Sequence, residues 1–151
     1  MSAIPEIGRL EQTIRELEAY EMPASPGQCQ DAIQAVLALM ALLQQALERN
    51  GQSRELGLTI PITVEMVALH YAIDQAKEAR LQLAAFIPIC QSSGHRALRR
   101  RKIAVYRLRE FTKAATEAFA RQVAAPQLRP RPDYLRLVES PLARKEPDND
   151  E

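Results

Sequence analysis

Residues 35–43 carry nine apolar side chains in succession, and no other feature restricts the fold of this chain as strongly. The run sits inside a longer uncharged stretch, residues 32–47, that also holds three glutamines. At 16 residues this stretch is shorter than the ~20 apolar residues a membrane span requires. It therefore reads as a helix inside a protein, and no membrane association is expected.

The punctuation agrees. Ser25 is placed to cap the helix, Pro26 suits its first position, and Gln28 completes a Ser-x-x-Gln capping box. Asn50-Gly51 suits a left-handed stop. A helix that is apolar on every side must be surrounded, either as the central member of a bundle or by a second subunit as well. Narrow neighbours would cover it poorly, which leads to the expectation of a homodimer.

The remaining apolar residues recur at helical spacing. Ile7, Leu10, Ile14 and Leu17 form one narrow stripe over residues 5–21, before Pro23 and Pro26. From about residue 61 or 63 to 87, Ile62, Met66, Leu69, Ile73, Ala76, Leu83, Ala84 and Ile87 line one face, and Pro88 ends or bends the helix. Val67 and Tyr71 fall on the opposite face. Over residues 95–124, Ala104, Val105, Leu108, Phe111, Ala115, Phe119 and Val123 share a face. Aromatic residues make up only 5% of the chain and Trp is absent, so Ala, Leu, Ile and Val must supply the core, as close helix packing prefers. The expected fold is all-α, a small four-helix bundle over residues 1–125. Residues 126–151 hold five of the ten prolines and read as a flexible, disordered tail.

The ends and the cysteines bear on location. Met1 to Glu6 lack the basic and apolar regions of a signal peptide. Cys29 and Cys90 lie far apart with no Cys-x-x-Cys spacing, which reads as free thiols in a reducing, cytoplasmic setting, with a single bridge between them left open.

The net charge of +1 averages unlike parts. Residues 1–55 carry −4, residues 56–90 carry −1, residues 91–125 carry +7 and residues 126–151 carry −1. The basic part concentrates at a helix start, where the macrodipole is positive and bases are disfavoured. His95, Arg96, Arg99, Arg100, Arg101 and Lys102 fall in its first turns, with Arg101 directed toward the apolar side. An anion placed there would meet free backbone N–H groups, the dipole and guanidinium forks together. Ser93 precedes the cluster, and Tyr106, Arg107, Arg109 and Lys113 extend it along the outer face.

The first reading is a non-enzymatic accessory protein that grips the phosphate backbone of DNA or RNA through residues 95–121. The alternative is a helical adaptor or chaperone-like assembly protein that binds another protein through its apolar surface and tail. Two plainer accounts of the charge also stand: a solvated face, or pairing with acids, either on a protein partner or on the chain's own Glu6, Glu11, Glu16, Glu18 and Glu21.

No catalytic residue is assigned. His70 and Asp74 are four apart, half of a catalytic pair, but no nucleophile stands at a recognisable spacing, and a surface pair is the ordinary reading. No metal site is assigned, since no two of the His and Cys residues have ligand spacing. No cofactor is expected either: the residues around Gly94 are not a P-loop.

Overall fold

Most helix starts and stops in this chain are set by local chemistry and fall where the sequence puts them. In the computed structural model, residues 4–55 and 63–128 are described, with side chains at 4–50 and 63–122. Helix α1 spans Pro5–Leu17, α2 Pro26–Glu55, α3 Val64–Phe86 and α4 His95–Leu128, with a single 3-10 turn at Ile87–Ile89 after α3. No strand occurs among the described residues, and the fold is an all-α four-helix bundle. The chain divides after Arg121 into two compact units, and the core belongs to the first. Of residues 126–151, read above as a disordered tail, 126–128 belong to α4 instead, and 129–151 lie outside the described residues.

The capping box of α2 is formed. Ser25 Oγ accepts the Gln28 N–H at 3.1 Å, and the Ser25 N–H donates to Gln28 Oε1 at 3.0 Å. Thr63 caps α3 in the same manner, its hydroxyl accepting the Met66 N–H at 3.2 Å. Gly94 precedes α4 with φ of +116°, a conformation that only glycine adopts without strain. No atom lies within 4 Å of where its Cβ would be, so the backbone angle and not crowding requires glycine.

Three boundaries differ from expectation. Helix α1 stops at Leu17, not near residue 21, because the carbonyls at its end are taken by a side chain from α4, described below. Helix α2 runs past Asn50-Gly51 to Glu55. Asn50 does not stop it, for its side-chain amide donates back to the Ala46 carbonyl at 2.8 Å, which an αR residue can do. Helix α4 continues beyond residue 124 to Leu128 and so carries Pro126 in its last turn.

The core gathers one stripe from each helix. Ile7, Leu10, Ile14 and Leu17 are buried, as their spacing predicts. Helix α2 packs against both α1 and α3 and contributes Val36, Leu39 and Leu43, all fully enclosed. Around them Ile33, Met40, Leu42 and Leu47 are partly buried against the same core. Most large apolar side chains of residues 26–50 thus find cover within one chain, while Leu37 is half-buried apart from this core, and the homodimer stays an expectation. Many contacts are alanines, including Ala32, Ala35, Ala72, Ala76, Ala79, Ala104, Ala115 and Ala118, and small side chains let helix axes approach closely. Of the face predicted for α3, Ala84 is exposed because the buried side follows Leu83 and Phe86, Ile87 is half-buried in the turn after the helix, and Ile62 lies outside the described residues. The two buried threonines, Thr13 and Thr112, satisfy their hydroxyls on their own helices, on the carbonyls of Arg9 and Leu108.

Candidate nucleic-acid interface

The basic segment separates into three kinds of side chain. Arg101 belongs to the interior. It is 6% exposed, and its guanidinium reaches back to the end of α1 and the connector that follows. Nε donates to the Leu17 carbonyl at 2.7 Å, one terminal nitrogen to the Met22 carbonyl at 2.6 Å and the other to the Ala19 carbonyl at 3.0 Å. These carbonyls lie at the end of α1 and in the connector after it, where helical hydrogen bonding stops, so a cation with a planar fork satisfies both their charge and their geometry. Arg101 also borders a hollow of ≈ 390 Å³ with Ser93 and His95, yet its three bonded nitrogens face carbonyls. Its place in the anion-binding set is therefore corrected: it fastens α4 to α1.

A second group is neutralised by carboxylates. Arg109 pairs with Glu18 at the end of α1, and Arg107 lies 4.0 Å from Glu78 of α3. Lys113 pairs with Glu110 at 3.5 Å and Arg121 with Glu117 at 2.8 Å, both along α4. Of the acids in the first helix that were candidates to cover the basic face, Glu18 is the one that reaches it.

The third group is open. His95, Arg96, Arg99 and Arg100 are exposed, and among the described residues none has a hydrogen bond, a carboxylate or a ring contact. Arg96, Arg99 and Arg100 stand at i, i+3 and i+4, on one face about one 5.4 Å turn apart, and with His95 and Ile103 they frame a hollow of ≈ 470 Å³. Ser93 is exposed beside them. Lys102 is exposed too, with its ammonium 5.6 Å from the centre of the Tyr20 ring, while Arg101 lies 5.4 Å from that ring. Tyr20 is the member sequence reasoning missed. It lies in the connector after α1, and nothing in its spacing marks it as the surface on which two cations of α4 rest. Tyr106 is 55% exposed, with the Arg107 guanidinium 5.5 Å from its ring centre.

The other candidates take less definite shape. His70 and Asp74 are both exposed, and no hydrogen bond joins them. Among the described residues no group of three or more His, Cys, Asp or Glu is placed to hold a metal ion. No described helix is long and apolar enough to cross a membrane. Cys29 and Cys90 are both buried and free. Burial pushes the Cys29 thiol from the ordinary 9.0 up to about 12, Cys90 adds to the rise, and Arg101 opposes it. A thiol whose folded pKa is raised stabilises the fold fully below pH 9 and loses that contribution as pH climbs from 9 to about 12. Urea unfolding should therefore show the midpoint of wild type falling over this range more steeply than that of Cys29→Ala. A parallel fall in both proteins would refute the assignment.

Compared with protein-family models, curated proteins and solved structures, the chain matches none. The functional reading rests on the residues themselves.

Proposed function

We propose that the protein is a non-enzymatic accessory factor that binds nucleic acid through the phosphate backbone, using the outer face of α4 from its first turn onward. The observation that carries this reading is the contrast along α4. The bases from Arg107 onward have carboxylates near them, whereas Arg96, Arg99 and Arg100 have none. Three like charges at neighbouring positions of one helix face repel one another, and Arg96, in the first turn, also opposes the macrodipole. An arrangement that disfavours the isolated fold is explained by an anion that completes it. Phosphates match guanidinium forks, and a polyanion engages several at once. Such contacts position a backbone and carry no base sequence.

Binding of this kind releases counterions. On duplex DNA the log–log slope of affinity against salt is about −0.9 per phosphate neutralised, so three contacts weaken binding about 40-fold between 50 and 200 mM salt. Fluorescence anisotropy with a labelled duplex at those two concentrations tests the reading. No binding at 50 mM salt would end it.

The second reading, a helical adaptor, is favoured by one face of α3. Val64, Val67 and Tyr71 are 59%, 55% and 53% exposed and lie on one side of that helix. It predicts no response in the same titration.

A further inference from the structure

The open face of α4 is not uniformly charged. At 100° per residue, Arg99, Ile103 and Tyr106 fall within roughly 60° of one another, with Lys102 on one flank and Arg96, Arg100 and Arg107 on the other. Ile103 and Tyr106 thus continue the line of Arg99 between Lys102 and a row of three bases. This strip holds a surface hollow of ≈ 500 Å³, lined by Leu98, Ile103 and Tyr106 with Arg99, Lys102 and Arg107 around them. Tyr106 is more than half exposed, and its hydroxyl has no hydrogen-bond partner among the described residues. Ile103, by contrast, is half-buried and continues the strip toward the helix start.

We infer that this strip selects single-stranded nucleic acid, with a base stacked on Tyr106 and the neighbouring phosphates held by Arg99 and Lys102. The inference rests on the nucleic-acid reading above and adds the form of the ligand. A duplex offers a helix its phosphates and the edges of its bases, and the base faces are hidden in the stack. Arginines alone would suffice for that surface, which makes no use of an aromatic face. A single strand offers base faces together with phosphates, and its usual binding surface is a basic track interleaved with aromatic rings. The Arg107 guanidinium lies over the Tyr106 ring, 5.5 Å from its centre, and is itself a planar cation of the kind that stacks on bases. From Arg96 to Arg107 the helix rises roughly 16 Å, so the contact extends over a few nucleotides.

The test uses the full chain and three labelled probes: a twelve-nucleotide oligothymidylate, the matching oligouridylate, and a twelve-base-pair DNA duplex, all at 50 mM salt. One or both single strands should bind more tightly than the duplex, and which of them binds better separates DNA from RNA. Tyr106→Ala should weaken single-strand binding about tenfold or more and change duplex binding less than twofold, because stacking is lost and phosphate contact is kept. Tyr106→Phe should retain most of the single-strand affinity, because the ring does the stacking. The exposed position leaves the fold intact, which circular dichroism verifies. Equal affinity for all three probes, or equal losses on single strand and duplex in Tyr106→Ala, overturns the inference and leaves the phosphate reading standing. Absence of binding to every probe overturns both.

Discussion

Replacing Arg101 with alanine is expected to destabilise the fold by about 3 kcal/mol, while its neighbours Arg99 and Arg100 tolerate the same change almost without cost. The difference follows from where the donors point. Arg101 supplies one hydrogen bond each to the carbonyls of Leu17, Ala19 and Met22, from a side chain that is 6% exposed. Truncation leaves all three acceptors without that donor and opens a gap between α1 and α4. A charged hydrogen bond of this kind is worth about 1.5–3 kcal/mol, and the sum is reduced by the desolvation of the cation itself, which the alanine variant no longer bears. For a chain of this size the loss corresponds to a melting temperature lower by about 10 °C. Arg101→Lys sharpens the test. Lysine keeps the charge but concentrates its donors at one compact head, which cannot span three carbonyls in one plane, so it should recover little of the loss. Thermal unfolding followed by circular dichroism measures both variants. A change under about 0.5 kcal/mol in Arg101→Ala would refute the fastening role.

The same residue shows where sequence reasoning reaches its limit. The position of Arg101 on the helical wheel already set it apart, because it turns toward the apolar side. What the pattern did not contain was a reason for it to be there, since its partners lie 79 to 84 residues earlier in the chain. Local features were legible because their partners are local. The capping box at Ser25 closes over three residues, and the stripe from Ile7 to Leu17 is a property of one helix. The end of α1 was misjudged for the reason Arg101 was: the decisive contact is made by another helix. Asn50-Gly51 failed as a stop because a side-chain amide can bond back onto its own helix, a choice that composition does not reveal. The candidate site was legible in outline. The charge of +7 over residues 91–125 marked the helix, but only the fold sorts its bases into one that is buried, several that are paired and several that are open. Glu18 and Glu78, which pair with Arg109 and Arg107, come from two other helices.

That sorting makes the charge reversal Arg96→Glu, Arg99→Glu, Arg100→Glu the most decisive variant for function. Its effects on binding and on stability should run in opposite directions. For three phosphate contacts at 0.1 M salt, the counterion term corresponds to about 500-fold in affinity, and reversal adds repulsion to that loss. Binding should therefore fall at least that far, below detection in an ordinary anisotropy titration. Stability should hold or rise slightly. All three side chains are exposed and unpaired, so no native contact is removed. An acid in the first turn of α4 also favours the macrodipole by about 0.3–1 kcal/mol, a gain that belongs mainly to position 96 because the effect fades beyond that turn. Few alternative accounts give this combination. A fold dependent on these arginines would lose stability together with binding, as Arg101→Ala should. A merely solvated face would lose neither. If the reversed protein is folded and its affinity for a polyanionic strand survives, then the phosphate grip does not lie on α4, and the unpaired charge at its start requires another explanation.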